Sequence, residues 1–322
     1  MTLKNIFRIV NKIVGPILLV VLSYSIYTQV SSQSQLTQTI TAICSFSISK
    51  ALLLALVFVL MLLSFMIEAV KWKILVTPFQ KITLLQATKN IFTGQAFAFT
   101  SVNDVGDFVG RVVHFKENKV QIGALSVLTT YSQILIIIGF GLLSWAFNFY
   151  ILIQQFKISN WLALFVLAAC FLGFALGFYL YFNQQKFIHH LKKIKWLSWL
   201  HKIFEMVYEV DKTVLTKLLL YSIFKYVVYT VQYLIVLQLF GVEGTVMQLA
   251  SLVALLLLAI TIIPSIAFAE LGIRGKLALV LFGILSNNAV AILMATVIVW
   301  LINRVIPAII GTLFTSTIKL KY

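Results

Sequence analysis

Apolar stretches of about 20 residues recur along this chain, and each is long enough to cross ~30 Å of hydrocarbon as a helix. That feature excludes most soluble folds. Of 322 residues, 61% are hydrophobic and 11% charged, and a soluble domain of this length needs far more charge to cover its surface. The apolar positions do not alternate with period two, which argues against an outer-membrane barrel. The sequence predicts an all-α polytopic membrane protein: six full spans plus two broken re-entrant helical hairpins, about eight hydrophobic segments.

The spans are placed at about Gly15–Val30, Lys50–Val70, Val120–Phe149, Trp161–Phe182, Leu218–Phe240 and Val290–Phe314. Lys4, Arg8 and Lys12 precede the first as in a signal peptide. No convincing small-residue cleavage site follows, so a retained helix is expected. The two broken segments are 81–115, interrupted at Thr100-Ser101-Val102-Asn103, and 247–285, interrupted at Pro264. The stretch 183–217 is polar and basic. Its apolar residues Ile188, Leu191, Ile194, Leu197, Leu200 and Phe204 recur at three- and four-residue steps, as in an amphipathic helix on the cytoplasmic membrane surface. The chain 1–322 is therefore read as a single membrane domain without a soluble catalytic domain.

Lys and Arg number 25 against 9 Asp and Glu. No nucleic-acid motif accompanies this excess, so membrane lipid rather than nucleic acid is the expected partner. With the N-terminus cytoplasmic and both broken segments turning back, 18 basic residues fall on the cytoplasmic side and 2, Lys50 and Lys157, on the other. That is a strong positive-inside asymmetry, and it supports cytoplasmic termini in a bacterial inner membrane, although making both broken segments cross leaves most of the count intact. The arrangement span, broken hairpin, span then occurs at 50–149 and 218–314, entering from opposite faces. Such an inverted repeat places the ends of discontinuous helices around a site near the midplane.

Charges inside a bilayer are costly and normally face a cavity or a partner. Asp107 precedes Arg111 by four residues, and Glu270 precedes Arg274 by four. On a helix each pair shares one face. Both pairs follow a helix break, where freed amides favour an anion. Two readings stay open: structural ion pairs with Asp104 and Asp107 as helix caps, or a site for a charged lipid headgroup. Arg304 with Asn303 in the last span, and Asn103 and Ser265 at the breaks, join the candidate substrate-binding set. Glu68 is expected to reach the interface beside Lys71, and His114 to sit at the interface. Tyr131, Ser132 and Gln133 are read as bonding between helices. His189 and His190 are adjacent, without ligand spacing, and Cys44 and Cys170 are read as inert packing residues. No metal or cofactor is expected.

These clusters resemble the flippase-like membrane domain of the lysylphosphatidylglycerol synthase family. That family carries a motif like Thr-Pro-x-Arg-x-Gly-Glu followed by Arg; here Ser101-Val102-Asn103-Asp104-Val105-Gly106-Asp107 precedes Arg111. Its second motif has Pro, a Gly-rich turn and Gly-x-Arg, matched by Pro264-Ser265 through Glu270-Leu271-Gly272-Ile273-Arg274. The late helix gives Asn303-Arg304 with Pro307 and Gly311. Val102, Asp104 and Asp107 replace the first motif's proline, arginine and glutamate. In the second motif Ala269-Glu270 occupies the Gly-rich turn, and Gly275 stands where many members have glutamate.

The resemblance implies a non-enzymatic protein that binds a phospholipid or lipid-linked precursor and moves it between leaflets. Arg111, Arg274 and Arg304 would hold an anionic headgroup, with Asp107 and Glu270 holding the arginines. The soluble aminoacyl-transfer domain of the bifunctional synthases is not seen, so synthesis of lysyl-phospholipid is not expected. An ion- or proton-coupled transporter of small solutes is the main rival. A non-catalytic subunit working with envelope-biosynthesis enzymes, such as a glycosyltransferase system, is another.

Overall fold

A computed structural model of the protein describes residues 47–99, 101, 104–184, 207, 209–263 and 267–315. The expected first span, most of the basic 183–217 segment, Cys44, Asn103, His189, His190 and Ser265 lie outside the described residues.

The described residues form helices and no strand. They are α1 (Ile48–Val76), α2 (Leu84–Phe99), α3 (Val105–Val112), α4 (Lys119–Phe147), α5 (Phe149–Phe156), α6 (Asn160–Phe182), α7 (Lys212–Leu239), α8 (Val246–Ile262), α9 (Ala267–Phe282), α10 (Ala289–Trp300) and α11 (Ile306–Thr315). A π-helical turn, Leu301–Val305, joins α10 to α11. Five helices are long and apolar enough to cross a membrane: α1, α4, α6, α7 and the continuous run Ala289–Thr315. The protein is a multi-pass membrane protein. The short helix α5, which continues α4 past Asn148, is absent from the sequence expectation. Asn148 spends its amide on Ser144 O at 2.9 Å and Ser251 Oγ at 3.0 Å, so the bend is tied to α8.

Local chemistry fixes the breaks. The α2 helix begins at a reciprocal pair, Thr83 N donating to Gln86 Oε1 (2.8 Å) and Gln86 N to Thr83 Oγ1 (3.2 Å). Between α2 and α3, Ser101 Oγ accepts from Gly106 N at 2.8 Å and donates to Ala98 O at 3.0 Å, stitching the two arms together. The α8 helix opens with the same capping box, Thr245 with Gln248. It stops where Ile263, held extended at φ −86° and ψ 112°, precedes Pro264, because a residue before proline avoids the helical region. Pro307 lacks the N–H that would close onto Asn303, and the π turn falls on that interrupted ladder.

The α2/α3 hairpin packs between α1 and α4, and the α8/α9 hairpin packs between α7 and α10. Each arrangement has its own apolar core. One gathers Phe65, Trp72, Ile91, Leu125 and Leu218 around the first hairpin; the other gathers Tyr233, Leu252, Phe282 and Val299 around the second. Gln232 Nε2 donating to Val57 O (3.0 Å) and Ser132 Oγ meeting Ser222 Oγ (2.9 Å) join α7 to α1 and α4. Helix α6 stands at the periphery with Trp161, Phe165 and Leu172 exposed, as a lipid-facing helix would. Cys170 lies exposed on it rather than packed inside, contrary to expectation.

Candidate functional site

The two cores leave a cavity of about 730 Å³ between the hairpins. Glu68, Asp104, Asp107, Arg111, Lys225, Glu270, Arg274 and Arg304 line it together with Gln95, Thr129, Gln133, Tyr229, Trp300 and Asn303. Four of the chain's nine carboxylates are gathered there.

On the first hairpin, the helical register of α3 sets Asp107 and Arg111 one turn apart, and Arg111 Nε donates to Asp107 Oδ2 at 2.7 Å. Asp107 can approach because α2 carries no side chain at Gly94: a Cβ there would overlap Asp107 Oδ1. Arg111 also reaches Glu68 Oε1 (3.2 Å) and Thr129 Oγ1 (3.1 Å) and lies over the Trp72 ring at 5.5 Å.

Glu68 does not reach the interface. It is 4% exposed and accepts from three cations: Arg111, Lys225 (2.9 Å) and Lys71 (3.3 Å). Lys71, expected at the interface beside it, is fully buried and also donates to Thr129 O at 3.1 Å. The physical reason is mutual. Arg111 and Lys225 need an anion at that depth, and Glu68 is the carboxylate that α1 presents.

On the second hairpin, Arg274 Nε donates to Glu270 Oε1 at 2.7 Å and Arg274 Nη1 to Tyr229 Oη at 3.4 Å. Arg304, carried by the π turn, joins the halves. Its Nη2 donates to Glu270 Oε2 (2.9 Å) and to both oxygens of Asp104 (2.9 Å each). Asp104 occupies the N-cap position of α3 in the left-handed region (φ 58°) but makes no capping bond. Its carboxylate is used on Arg304 instead, so the capping expectation does not hold for it.

Of the residues expected at the site, the structure brings Arg111, Asp107, Glu270, Arg274 and Arg304 around one cavity, with Asn303 beside them. Asn103 and Ser265 fall outside the described residues. Glu68, Lys71, Lys225, Tyr229 and Asp104 were not expected there in these roles. One signal was available: five cations within apolar segments, Arg111, Lys225, Arg274, Lys276 and Arg304, need more than two carboxylates. Tyr131 Oη donates to Gly177 O at 2.7 Å and Ser132 bonds Ser222, both interhelical as expected. Gln133 instead faces the cavity, its buried Oε1 without a partner among the described residues, as is Asp107 Oδ1. His114 is held by Thr93 Oγ1 at 3.1 Å, outside the central cavity.

A family model described as the lysylphosphatidylglycerol synthase TM region matches residues 12–311, nearly the whole chain. No curated protein and no solved structure matches it.

Proposed function

The chain belongs to the lysylphosphatidylglycerol synthase TM region family, and from that premise we propose that it binds a phospholipid or lipid-linked precursor by its anionic headgroup and moves it between leaflets. The supporting observation is the cavity between the broken hairpins, where three arginines and a lysine stand among apolar helices, each already facing a carboxylate. The carboxylates keep the cations charged and oriented while the site is empty; a phosphate then exchanges for one of them.

The partner most easily exchanged is Asp104. Its side chain is 47% exposed, against 4% for Glu270 and 5% for Glu68. Arg304 is therefore the first headgroup contact, with Arg274 and Lys225 beside it. Arg111, bonded to Asp107, Glu68 and Thr129, serves mainly to hold the first hairpin in place. Releasing Asp104 also frees the two hairpins from their common arginine, which links headgroup binding to relative motion of the halves.

An inverted repeat is consistent with the packing. The first arm of each hairpin crosses the final span of the other half, α2 on α11 and α8 on α4. At both crossings the span contributes a glycine: a Cβ on Gly311 would overlap the Phe92 carbonyl, and one on Gly141 would lie 2.7 Å from Leu258 Cβ. Each hairpin arginine is likewise met by the span before it, Arg111 by Glu68 of α1 and Arg274 by Tyr229 of α7.

The test is headgroup-selective movement of labelled lipids in proteoliposomes, comparing wild type with Arg304→Gln and Glu270→Gln. Loss of at least tenfold in both variants supports the reading. Movement of no lipid class, with uptake of a small solute instead, would favour ion-coupled solute transport, for which the unpartnered Asp107 Oδ1 is the carrier to examine.

A further inference from the structure

A second hollow, of about 180 Å³, opens where the first hairpin begins. Gln80, Lys81, Gln86, Lys89, Asn90 and His114 supply its polar lining. Two ammonium groups, three amides and an imidazole converge there, and no carboxylate among the described residues lines it. The capped start of the 16-residue α2 lies at the rim, so the positive end of its dipole adds to the lysines.

Asn90 points to a ligand. It is 3% exposed, yet its amide makes no hydrogen bond among the described residues, and it lines the hollow. What little of Asn90 stays exposed opens onto the hollow, so whatever fills the hollow supplies the hydrogen bonds of its amide. On the same hollow, His114 is oriented by Thr93 Oγ1 through Nε2, which leaves Nδ1 to meet a ligand. The arrangement offers amide and imidazole hydrogen bonds plus two flexible cations, which suits a tetrahedral oxyanion. The volume accommodates a phosphate with a small polar substituent and no acyl chain.

We propose that this hollow is a phosphate-binding site, distinct from the central cavity, that takes the phosphate of a phosphomonoester or phosphodiester group. Its place gives it a use that rests on the lipid-handling reading above. His114 follows Arg111 by three residues, and Asn90 lies one turn before Gly94, against which Asp107 packs. A headgroup held here is about one helical turn, roughly 5 Å, from the arginine network. The hollow is then a loading position at the membrane surface where α1 ends.

The experiment uses the full chain in detergent micelles with its histidines isotope-labelled, so that the His114 imidazole, assigned by His114→Gln, reports on this hollow alone. The probes are inorganic phosphate and dihexanoyl phosphatidic acid. A saturable shift of the His114 signal, weakened at least tenfold by Lys89→Gln and by the shape-conserving Asn90→Asp, supports the proposal. If both probes act equally, the phosphate is a free anion; if the short-chain lipid binds more tightly, it is a headgroup. No saturable shift with either probe overturns the proposal, as does a shift that both variants leave unchanged while their thermal unfolding matches wild type. Arg304→Gln keeps the response, so failure of lipid movement and failure of this site are separable.

Discussion

Glu68 is the residue on which the first charge network turns. One carboxylate, 4% exposed, receives Arg111, Lys225 and Lys71. Neutralising it leaves Arg111 with Asp107 alone and takes from buried Lys71 and half-buried Lys225 the carboxylate each one meets, so Glu68→Gln is expected to lower unfolding stability by about 3–5 kcal/mol, measured by denaturant or thermal unfolding in detergent. Asp104→Asn, at a half-exposed partner, is expected to cost under about 1 kcal/mol while altering lipid movement. Equal losses in the two variants would contradict the division of roles. Sequence spacing made Lys71 visible as a neighbour of Glu68, but Arg111 and Lys225 lie 43 and 157 residues away, and no local pattern links them. His114 carries the residue-scale pH dependence. Desolvation first, then the nearby Lys89 and Lys119, holds its pKa below the ordinary histidine value. The sign follows: the folded state favours the neutral ring, so this contribution to stability is full above about pH 6.5 and is lost as pH falls through the lowered pKa. His114→Gln should flatten the acid-side decline of the melting temperature, and the imidazole should titrate below a free histidine by NMR.

At the scale of elements, the hairpins are what the sequence made most legible. Pro264 and the Ser101–Asp104 turn break two apolar segments, and the helices stop within a few residues of those positions. The π turn was not legible, because Asn303-Arg304 inside an apolar run reads as a buried polar pair on a regular helix. Pro307 was the available signal: its missing N–H disrupts the ladder at Asn303, and the extra residue in that turn rotates Arg304 toward Asp104 and Glu270. Pro307→Ala lets a regular helix close, which turns Arg304 by about one residue, ~100° around the axis. The expected outcome is a helix at least as stable, by thermal unfolding, that has lost lipid movement in proteoliposomes. Retained movement would mean that the π turn does not position Arg304 for function. Gly311→Ala tests the α2–α11 crossing differently: the added methyl meets backbone rather than a flexible side chain, and about 1–3 kcal/mol of stability should be lost.

For the whole molecule, the question is whether two halves move against each other. Each hairpin has its own core, the first drawing in Leu218 of α7 and the second Val57 of α1, and the charged cavity lies along the boundary between the hairpins rather than inside either core. That boundary could not be read from one sequence, because it is made by contacts between segments 90 or more residues apart, among them Ser132 with Ser222. Those two hydroxyls, 2.9 Å apart on α4 and α7, offer a way to fix the halves without touching a charged residue of the site. After Cys44 and Cys170 are replaced by Ala, Ser132→Cys with Ser222→Cys should form a disulfide on oxidation. If access alternates by rocking of one half on the other, the oxidised protein loses lipid movement and regains it on reduction, with lipid binding unchanged in both forms. If the oxidised protein still moves lipid at the reduced rate, α4 and α7 stay together throughout the cycle. The moving parts must then be the hairpins themselves, swinging about the Asp104–Arg304–Glu270 contact within a fixed frame of long helices.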